Sequence, residues 1–166
     1  AECGRDARVD AFGSSVCGFA TVHSDLDLTV ALLGSTLDAA AKKQLLKRLS
    51  KTFRFRHGMN SFAVLGARIP VIKLKDPSTG LSADVSVQND MPVFKSNLLL
   101  QYSKIDPRFR QLVLIIKTWS TARNINNASH GTLNSFGYTM LALYYLQRVS
   151  PPILPCLQQE SVALRG

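Results

Sequence analysis

The sequence is poor in cysteine and lacks any long apolar run, and each shortage excludes a class of protein. Only three of its 166 residues are cysteine, and Cys3, Cys17 and Cys156 lie far apart. An odd, scattered set gives neither a disulfide framework nor a zinc knuckle, and it favours a reducing, intracellular compartment. No apolar run approaches the roughly 18 residues of a membrane-spanning helix, so we expect no membrane partner.

Acidic residues are also scarce, with 11 Asp and Glu against 20 Lys and Arg, so that the formal net charge is +9. A soluble chain this basic usually binds a polyanion, most often nucleic acid, although a merely basic surface gives the same total. The hydrophobic content of 46% is that of a globular protein rather than a disordered one. The length suits one ordinary domain, or one small domain and part of a second.

The two ends of the chain bear on how it is interpreted. The sequence neither begins with Met nor shows a signal-peptide layout, and it stops shortly after a Pro-rich stretch at 151–155. We interpret it as a piece of a longer protein. This matters for function, because residues that select a substrate can lie outside such a piece.

Periodicity and turn residues divide the chain into a mixed α/β part and an all-helical part. In the first part we expect strands over 8–12, 26–33, 61–66, 69–75 and 81–88, and helices over 15–20 and 36–53. In the second part we expect helices over 96–103, from Pro107 onward, and over 135–149. The middle helix has an apolar stripe of Leu112, Val113, Ile115, Ile116 and Trp119. The sequence predicts an α/β (α+β) fold: a small mixed-sheet domain over residues 1–92, then a helical domain over residues 93–166.

Two carboxylates stand one residue apart in Ser24-Asp25-Leu26-Asp27, where the second strand begins. Residues i and i+2 of a strand share a face, so Asp25 and Asp27 repel each other unless a cation lies between them. Oxygen ligands of this kind suit Mg²⁺, and Asp84 in the last predicted strand is the candidate third carboxylate. The plainer alternative is that Asp25 caps the turn and Asp27 is solvated at a strand edge.

A Gly-Ser-Ser turn at 13–15 lies between the first strand and a helix, where backbone N–H groups and hydroxyls can cradle a phosphate. The turn is too short for a Walker A loop and lacks the Gly-Lys-Ser/Thr ending, which argues against a P-loop NTPase. A triphosphate held there would present its oxygens to a metal on Asp25 and Asp27, and a second metal at Asp84 would activate an attacking hydroxyl. This is the two-metal arrangement of in-line nucleotidyl transfer.

These motifs resemble those of the nucleotidyltransferase superfamily of DNA polymerase β, in which a Gly-Ser turn is followed by paired aspartates and a third aspartate on a later strand. Three helical segments are similar to the central domain of noncanonical poly(A) polymerases and terminal uridylyltransferases. They are Asp106-Pro107-Arg108-Phe109-Arg110, Lys117-Thr118-Trp119 and the GTLNSFGY stretch at 131–138. Within that group, the segment from Val22 to Val30 most resembles the kinetoplastid mitochondrial uridylyltransferases of RNA editing. The resemblance covers nearly the whole chain, in order.

The resemblance implies a role for each residue that matches the family motifs. Asp25 and Asp27 would be catalytic ligands of Mg²⁺ or Mn²⁺, and Asp84 a further ligand that accepts the proton of the RNA 3′-hydroxyl. The implied nucleotide-binding residues are Gly13, Ser14, Ser24, Ser96, Lys117, Thr121, Ser135 and Phe136. Three positions depart from the family pattern: Lys95 where Asn is common, Thr121 where a second phosphate-binding lysine is common, and Phe136 where Tyr is usual. These departures put phosphate affinity and base choice in doubt.

The function that the resemblance implies is that of an RNA 3′-terminal uridylyltransferase. Such an enzyme transfers UMP from UTP to the 3′-hydroxyl of a single-stranded RNA without a template, here within an RNA-processing complex and, by the same resemblance, in the mitochondrion. One alternative is a noncanonical poly(A) polymerase that uses ATP, since the family reads uracil through later residues that this piece lacks. The other alternative is an inactive RNA-binding subunit, which would be expected to have lost one of the three aspartates.

Overall fold

The division of the chain into two compact units falls inside a helix. The computed structural model describes residues 6–22 and 24–158, and the units are Ala1–Leu98 and Leu99–Gly166. The helix that contains the division, α3, runs over Met91–Ile105. The assignment of functional domains to residues 1–92 and 93–166 stays a prediction.

Five strands form one mixed sheet in the first unit, as the sequence predicts. They are β1 (Ala7–Phe12), β2 (Leu26–Leu32), β3 (Asn60–Val64), β4 (Val71–Lys75) and β5 (Ser82–Val87). The spatial order is β1-β2-β5-β4-β3. β2 and β5 are parallel, whereas the other neighbours are antiparallel. The sheet therefore places β2, at whose start the paired aspartates lie, next to β5, which carries Asp84.

One face of the sheet packs against a long helix, α2 (Ala39–His57). Alternate strand residues and one stripe of α2 form the core between them: Val30, Leu45, Leu46, Leu49, Ile72, Leu74, Val85 and Val87. The helix begins three residues later than we predict because the Asp38 carboxylate caps it, accepting from the Ala41 N–H at 2.7 Å. It also continues past Phe53 until Gly58, which takes a left-handed conformation. The opposite face of the sheet is thereby left for polar side chains.

Two further helices complete the first unit, and both differ from the sequence prediction. α1 spans only Ser14–Cys17, because Gly18 ends it in a left-handed conformation. α3 begins at Met91, five residues before the predicted start. Pro92 is tolerated there because the first turn of a helix needs no N–H from that residue. The two helices meet where the buried Cys17 thiol donates to the Ser96 carbonyl (3.3 Å).

The second unit contains the end of α3, then α4 (Pro107–Ala122), a short 3₁₀ turn (Ala128–His130) and α5 (Ser135–Arg148). The predicted apolar stripe of α4 is partly wrong. Ile115 and Trp119 are 65% and 51% exposed, whereas Phe109 and Val113 are buried. A run of five apolar positions is wider than one helix face, so periodicity alone cannot identify the buried ones. Within the residues described, no helix is long and apolar enough to cross a membrane.

Candidate active site

One row of side chains crosses all five strands on the sheet face opposite α2. The strand register pairs Phe12 with Asp27, Asp27 with Asp84, Asp84 with Lys73, and Lys73 with Phe62. Side chains of directly paired residues project to the same face of a sheet. The row therefore places two carboxylates at its centre, a lysine beside them and an aromatic ring at each end.

The two carboxylates at the centre of the row belong to adjacent parallel strands. Asp27 on β2 pairs with Asp84 on β5, and neighbouring strands lie about 4.8 Å apart. Asp25 lies just before β2, which begins at Leu26, so it is in the preceding loop, and the argument that Asp25 and Asp27 share one face of a strand does not hold for Asp25. Asp25 is exposed, and Asp27 and Asp84 are half-buried. All three carboxylates thus belong to one end of the β2–β5 pair.

The turn before α1 is built around the Asp27 carboxylate. Gly13 has φ 74° and ψ −154°, a combination that is essentially restricted to glycine. A Cβ atom at this position would overlap the Asp27 carboxylate. The Gly13 N–H donates to Ser96 Oγ (2.7 Å), and that hydroxyl donates to the Pro92 carbonyl (2.8 Å). The start of α3 therefore holds the turn against the carboxylate.

The third aspartate has a basic partner on the neighbouring strand. Lys73 Nζ donates to both oxygens of Asp84, at 2.7 and 3.0 Å. The side chains are 44% and 27% exposed, so solvent screens this ion pair and its contribution to stability is modest. The ion pair matters for the site because it fixes the Asp84 carboxylate at the centre of the row.

In the second unit, the remaining candidate residues lie on two helices that pack against each other. Trp119 of α4 contacts Tyr138 of α5 edge to face, with 6.4 Å between the ring centroids. This contact brings the stretch of α4 that carries Lys117 and Thr121 alongside the start of α5. Asn134 caps α5 by accepting from the Gly137 N–H (2.8 Å), and the helix then begins at Ser135.

The first turn of α5 has the features of an anion site with an aromatic neighbour. Ser135 is its first residue, at the helix end where backbone N–H groups favour negative charge. The next residue, Phe136, is 43% exposed, so its ring is accessible for stacking. Thr121 Oγ1 accepts from Asn126 Nδ2 (2.8 Å), which ties the end of α4 to the loop that follows.

Comparison with known proteins decides the family. Residues 2–104 match the family described as the central palm domain of mitochondrial-like poly(A) RNA polymerase. This chain belongs to that palm-domain family. The predicted kinship with noncanonical poly(A) polymerases is thereby confirmed, and the relatives and solved structures that follow confirm the kinship with terminal uridylyltransferases and the polymerase-β-like fold.

Relatives of the palm domain include enzymes named for two different nucleotides. The chain is 33% identical over 154 residues to Terminal uridylyltransferase 7 of Homo sapiens, covering 92% of this chain and 10% of that protein. It is 37% identical over 162 residues to Protein HESO1 of Arabidopsis thaliana, covering 95% and 32%. It is 35% identical over 156 residues to Poly(A) RNA polymerase GLD2-A of Xenopus laevis, covering 93% and 31%. The chain therefore spans between a tenth and a third of the length of these relatives.

Solved structures similar to this chain also include both a poly(A) polymerase and a terminal U-transferase. The chain superimposes on mtPAP in complex with ATPγS with a TM-score of 0.84 and 29% identity, covering 93% of this chain and 36% of that one. It superimposes on a cytoplasmic RNA terminal U-transferase with a TM-score of 0.77 and 32% identity, covering 92% and 45%. The palm-domain fold is thus common to enzymes named for adenylate and for uridylate addition.

Two of the predicted nucleotide-binding serines, Ser96 and Ser24, form hydrogen bonds with backbone groups near the aspartates. Ser96 is only 4% exposed, and its hydroxyl is engaged by the Gly13 N–H and the Pro92 carbonyl. Ser24 Oγ accepts from the Thr21 N–H (2.9 Å) and shapes the loop before Asp25. Ser14, by contrast, is the first residue of α1, directly after the Gly13 turn. Ser96 and Ser24 therefore hold the backbone on either side of the aspartates.

The sequence analysis does not identify Lys73 as the partner of Asp84. The signal was present in the alternation of Val71-Ile72-Lys73-Leu74-Lys75. Ile72 and Leu74 are buried, so the lysines between them must point to the opposite face. What the alternation could not supply was the register that pairs Lys73 with Asp84.

The carboxylates at and beside the centre of the row fit a hard cation by their chemistry. Asp25, Asp27 and Asp84 offer carboxylate oxygens, the ligands that Mg²⁺ prefers, and the Asp27 carboxylate lies against the backbone of the Gly13 turn, where a Cβ would overlap it. In residues 6–22 and 24–158, no three carboxylate, His or Cys side chains are gathered into a ready-made metal cluster. Asp84 is held by Lys73 instead.

Proposed function

We propose that this chain is the catalytic palm of an RNA 3′-terminal nucleotidyltransferase that transfers UMP from UTP to an RNA 3′-hydroxyl without a template. The observation that carries the proposal is the pairing of Asp27 with Asp84 on adjacent parallel strands, beside a glycine turn that admits no side chain next to Asp27. Packing and stability alone do not call for adjacent carboxylates next to such a turn. A site that binds a triphosphate and a cation calls for both.

The Gly13–Ser14 turn and the three aspartates each have a part in the proposed reaction. The Gly13–Ser14 turn would hold the triphosphate, and Asp25, Asp27 and Asp84 would hold Mg²⁺ or Mn²⁺. The RNA 3′-oxygen forms a bond to the α-phosphorus, the bond from that phosphorus to the β-phosphate oxygen breaks, and pyrophosphate leaves. The proton of the attacking hydroxyl passes to the Asp84 carboxylate. A bound divalent ion would neutralise negative charge on the phosphates.

The candidate residues of the second unit keep their proposed role on the strength of the family resemblance. Lys117 and Ser135 would meet the phosphates, Thr121 stands where a second lysine is common, and Phe136 would stack on the base. Ser135 at the start of α5 and the accessible Phe136 ring support these two assignments. Ser24 and Ser96 would act on the nucleotide through the backbone that they hold.

A second candidate function is poly(A) synthesis from ATP by the same site. It is favoured by the matching family, which is named for poly(A) RNA polymerase, and by 35% identity to GLD2-A. The chemistry at the α-phosphorus is identical for the two nucleotides, so the three aspartates serve either. The closer resemblance to kinetoplastid RNA-editing uridylyltransferases, the mitochondrial placement and membership of an RNA-processing complex are part of the first proposal.

Primer extension tests the proposal and separates the two nucleotides. The full-length protein is incubated with a single-stranded RNA that has a free 3′-hydroxyl, with Mg²⁺, and with each of the four nucleoside triphosphates separately. We expect extension with UTP. Extension with ATP alone would assign the chain to the poly(A) branch, and no extension with any nucleotide would favour the inactive RNA-binding subunit.

A further inference from the structure

A cleft extends from Asp84 across the outer strands of the sheet, away from the Gly13 turn. It has a volume of about 510 Å³, and its lining includes Asp84, Lys73, Lys75, Phe62, Asn60 and Arg54. β4 and β3 form its floor, and all of these residues belong to the first unit. The cleft is therefore continuous with the proposed active site and lies on one side of it.

We propose that this cleft binds the 3′ end of the RNA substrate and that Phe62 is a stacking platform for one of its last bases. The inference rests on the proposed function and adds the surface that positions the attacking strand. In an in-line displacement, the attacking and leaving groups lie on opposite sides of the reacting phosphorus. The Gly13 turn flanks Asp27 on the β1 side, so the RNA enters from the β4–β3 side.

The exposure of Phe62 supports a role in stacking. The side chain is 60% exposed in the middle of β3, and it is the last member of the row that contains Asp27 and Asp84. Two strand spacings separate β3 from β5, which is on the order of 10 Å. A base stacked on Phe62 would thus lie within a few nucleotides of the reacting hydroxyl.

The charges that line the cleft suit a nucleic acid backbone. Lys75 and Arg54 are exposed beside Phe62, and Lys73 lies between Phe62 and Asp84. The acidic residues of the lining are Asp25 and Asp84, and both belong to the proposed catalytic set. Basic side chains combined with an exposed aromatic ring are the arrangement that binds single-stranded nucleic acid without sequence preference.

Two substitutions at Phe62 separate stacking from simple apolar contact. Phe62→Leu keeps an apolar side chain that suits a strand but removes the ring, and Phe62→Trp keeps a ring. Val9→Ala is the matched control, because Val9 is equally exposed (60%) and lies on β1, the strand at the opposite edge of the sheet from β3. The full-length protein and its variants are titrated against a fluorescently labelled 15-nucleotide RNA by anisotropy, without nucleotide, and then assayed for KM and kcat.

Phe62→Leu should weaken RNA binding and raise the KM for RNA by about 5- to 100-fold, the effect of losing one stacked base. The KM for the nucleotide and kcat should stay close to those of the parent, and Phe62→Trp and Val9→Ala should bind RNA normally. Unchanged RNA binding by Phe62→Leu in a protein that extends RNA would overturn the inference and leave the proposed function standing. If Phe62→Leu weakens RNA binding but the parent protein adds no nucleotide, the RNA-binding inference stands and the proposed function is overturned.

Discussion

At the scale of single residues, Gly13 and Asp27 depend on each other. The backbone of Gly13 has a conformation that other residues adopt only at a cost of about 1–3 kcal/mol, and the Asp27 carboxylate occupies the space of its missing side chain. Gly80 has an almost identical φ of 75°, but nothing lies within 4 Å of the Cβ that it lacks. Gly80 therefore controls for the cost of a positive φ, and the steric effect on the Asp27 carboxylate is confined to Gly13.

We predict that Gly13→Ala loses stability and nearly all primer-extension activity, whereas Gly80→Ala loses stability alone. The measurements are the free energy of unfolding in urea and the rate of extension. Equal activity in the two variants would show that the position of the Asp27 carboxylate does not matter to the reaction.

The candidate site residues could be named from the sequence, whereas their contacts could not. A Gly-Ser turn followed by paired aspartates is a local pattern, and Asp84 follows from the alternation of its strand. The pairing of Lys73 with Asp84 and the engagement of Ser96 by Gly13 join positions that are 11 and 83 residues apart. Such contacts depend on strand register and on the docking of α3, which no local pattern encodes.

At the scale of elements, the N-terminus of α4 is held by a carboxylate with an unusually low pKa. A hydrogen bond from the Arg108 side chain, and then one from the Arg108 N–H, lowers the pKa of Asp106 from 3.8 to about 2. A group whose pKa is lower in the folded state contributes stability above its unfolded pKa, and that contribution is lost as the pH falls through the folded value. The cap therefore stabilises α4 fully above about pH 4 and loses its effect towards pH 2.

We predict that the thermal midpoint of the parent protein falls more between pH 5 and pH 2 than that of Asp106→Asn. Asparagine also caps helices but does not titrate, so the variant lacks this part of the pH dependence. Circular dichroism melting curves at several pH values give both midpoints. Parallel falls in the two proteins would show that the Asp106 carboxylate does not stabilise α4 through its charge.

Helix ends were less predictable from the sequence than helix existence. The sequence predicts each of the five α-helices found in residues 6–22 and 24–158, but α2 begins at the Asp38 cap and ends at Gly58, and α3 begins at Met91. Hydrophobic periodicity reports the buried face and says little about the first and last turns, which caps and left-handed glycines decide. The mixed sheet itself was predictable, because each strand is short, alternating and bounded by turn residues.

At the scale of the whole molecule, the net charge of +9 should make RNA binding strongly dependent on salt. Each phosphate that a basic side chain neutralises in a single strand contributes about −0.7 to the slope of log affinity against log salt concentration. Lys75 lines the proposed RNA cleft. Lys43 is also exposed, and it lies on α2, which packs against the other face of the sheet.

We predict that Lys75→Gln reduces the magnitude of this slope by about 0.7, whereas Lys43→Gln leaves it unchanged. Anisotropy titrations of a labelled single-stranded RNA at four or five salt concentrations provide the slopes. A reduced slope in Lys43→Gln together with an unchanged slope in Lys75→Gln would place the RNA on the α2 side of the molecule.

The most direct test of the account is the rate of single-turnover RNA extension in three aspartate variants of the full-length protein. Asp25→Asn, Asp27→Asn and Asp84→Asn are compared with Asp10→Asn, because Asp10 lies on β1 opposite Thr29, on the same sheet face and outside the proposed site. Loss of a carboxylate that would hold the divalent ion at the reacting phosphates should slow the reaction about 10³-fold or more, whereas Asp10→Asn should react like the parent. Near-normal extension by Asp27→Asn or Asp84→Asn would contradict the account.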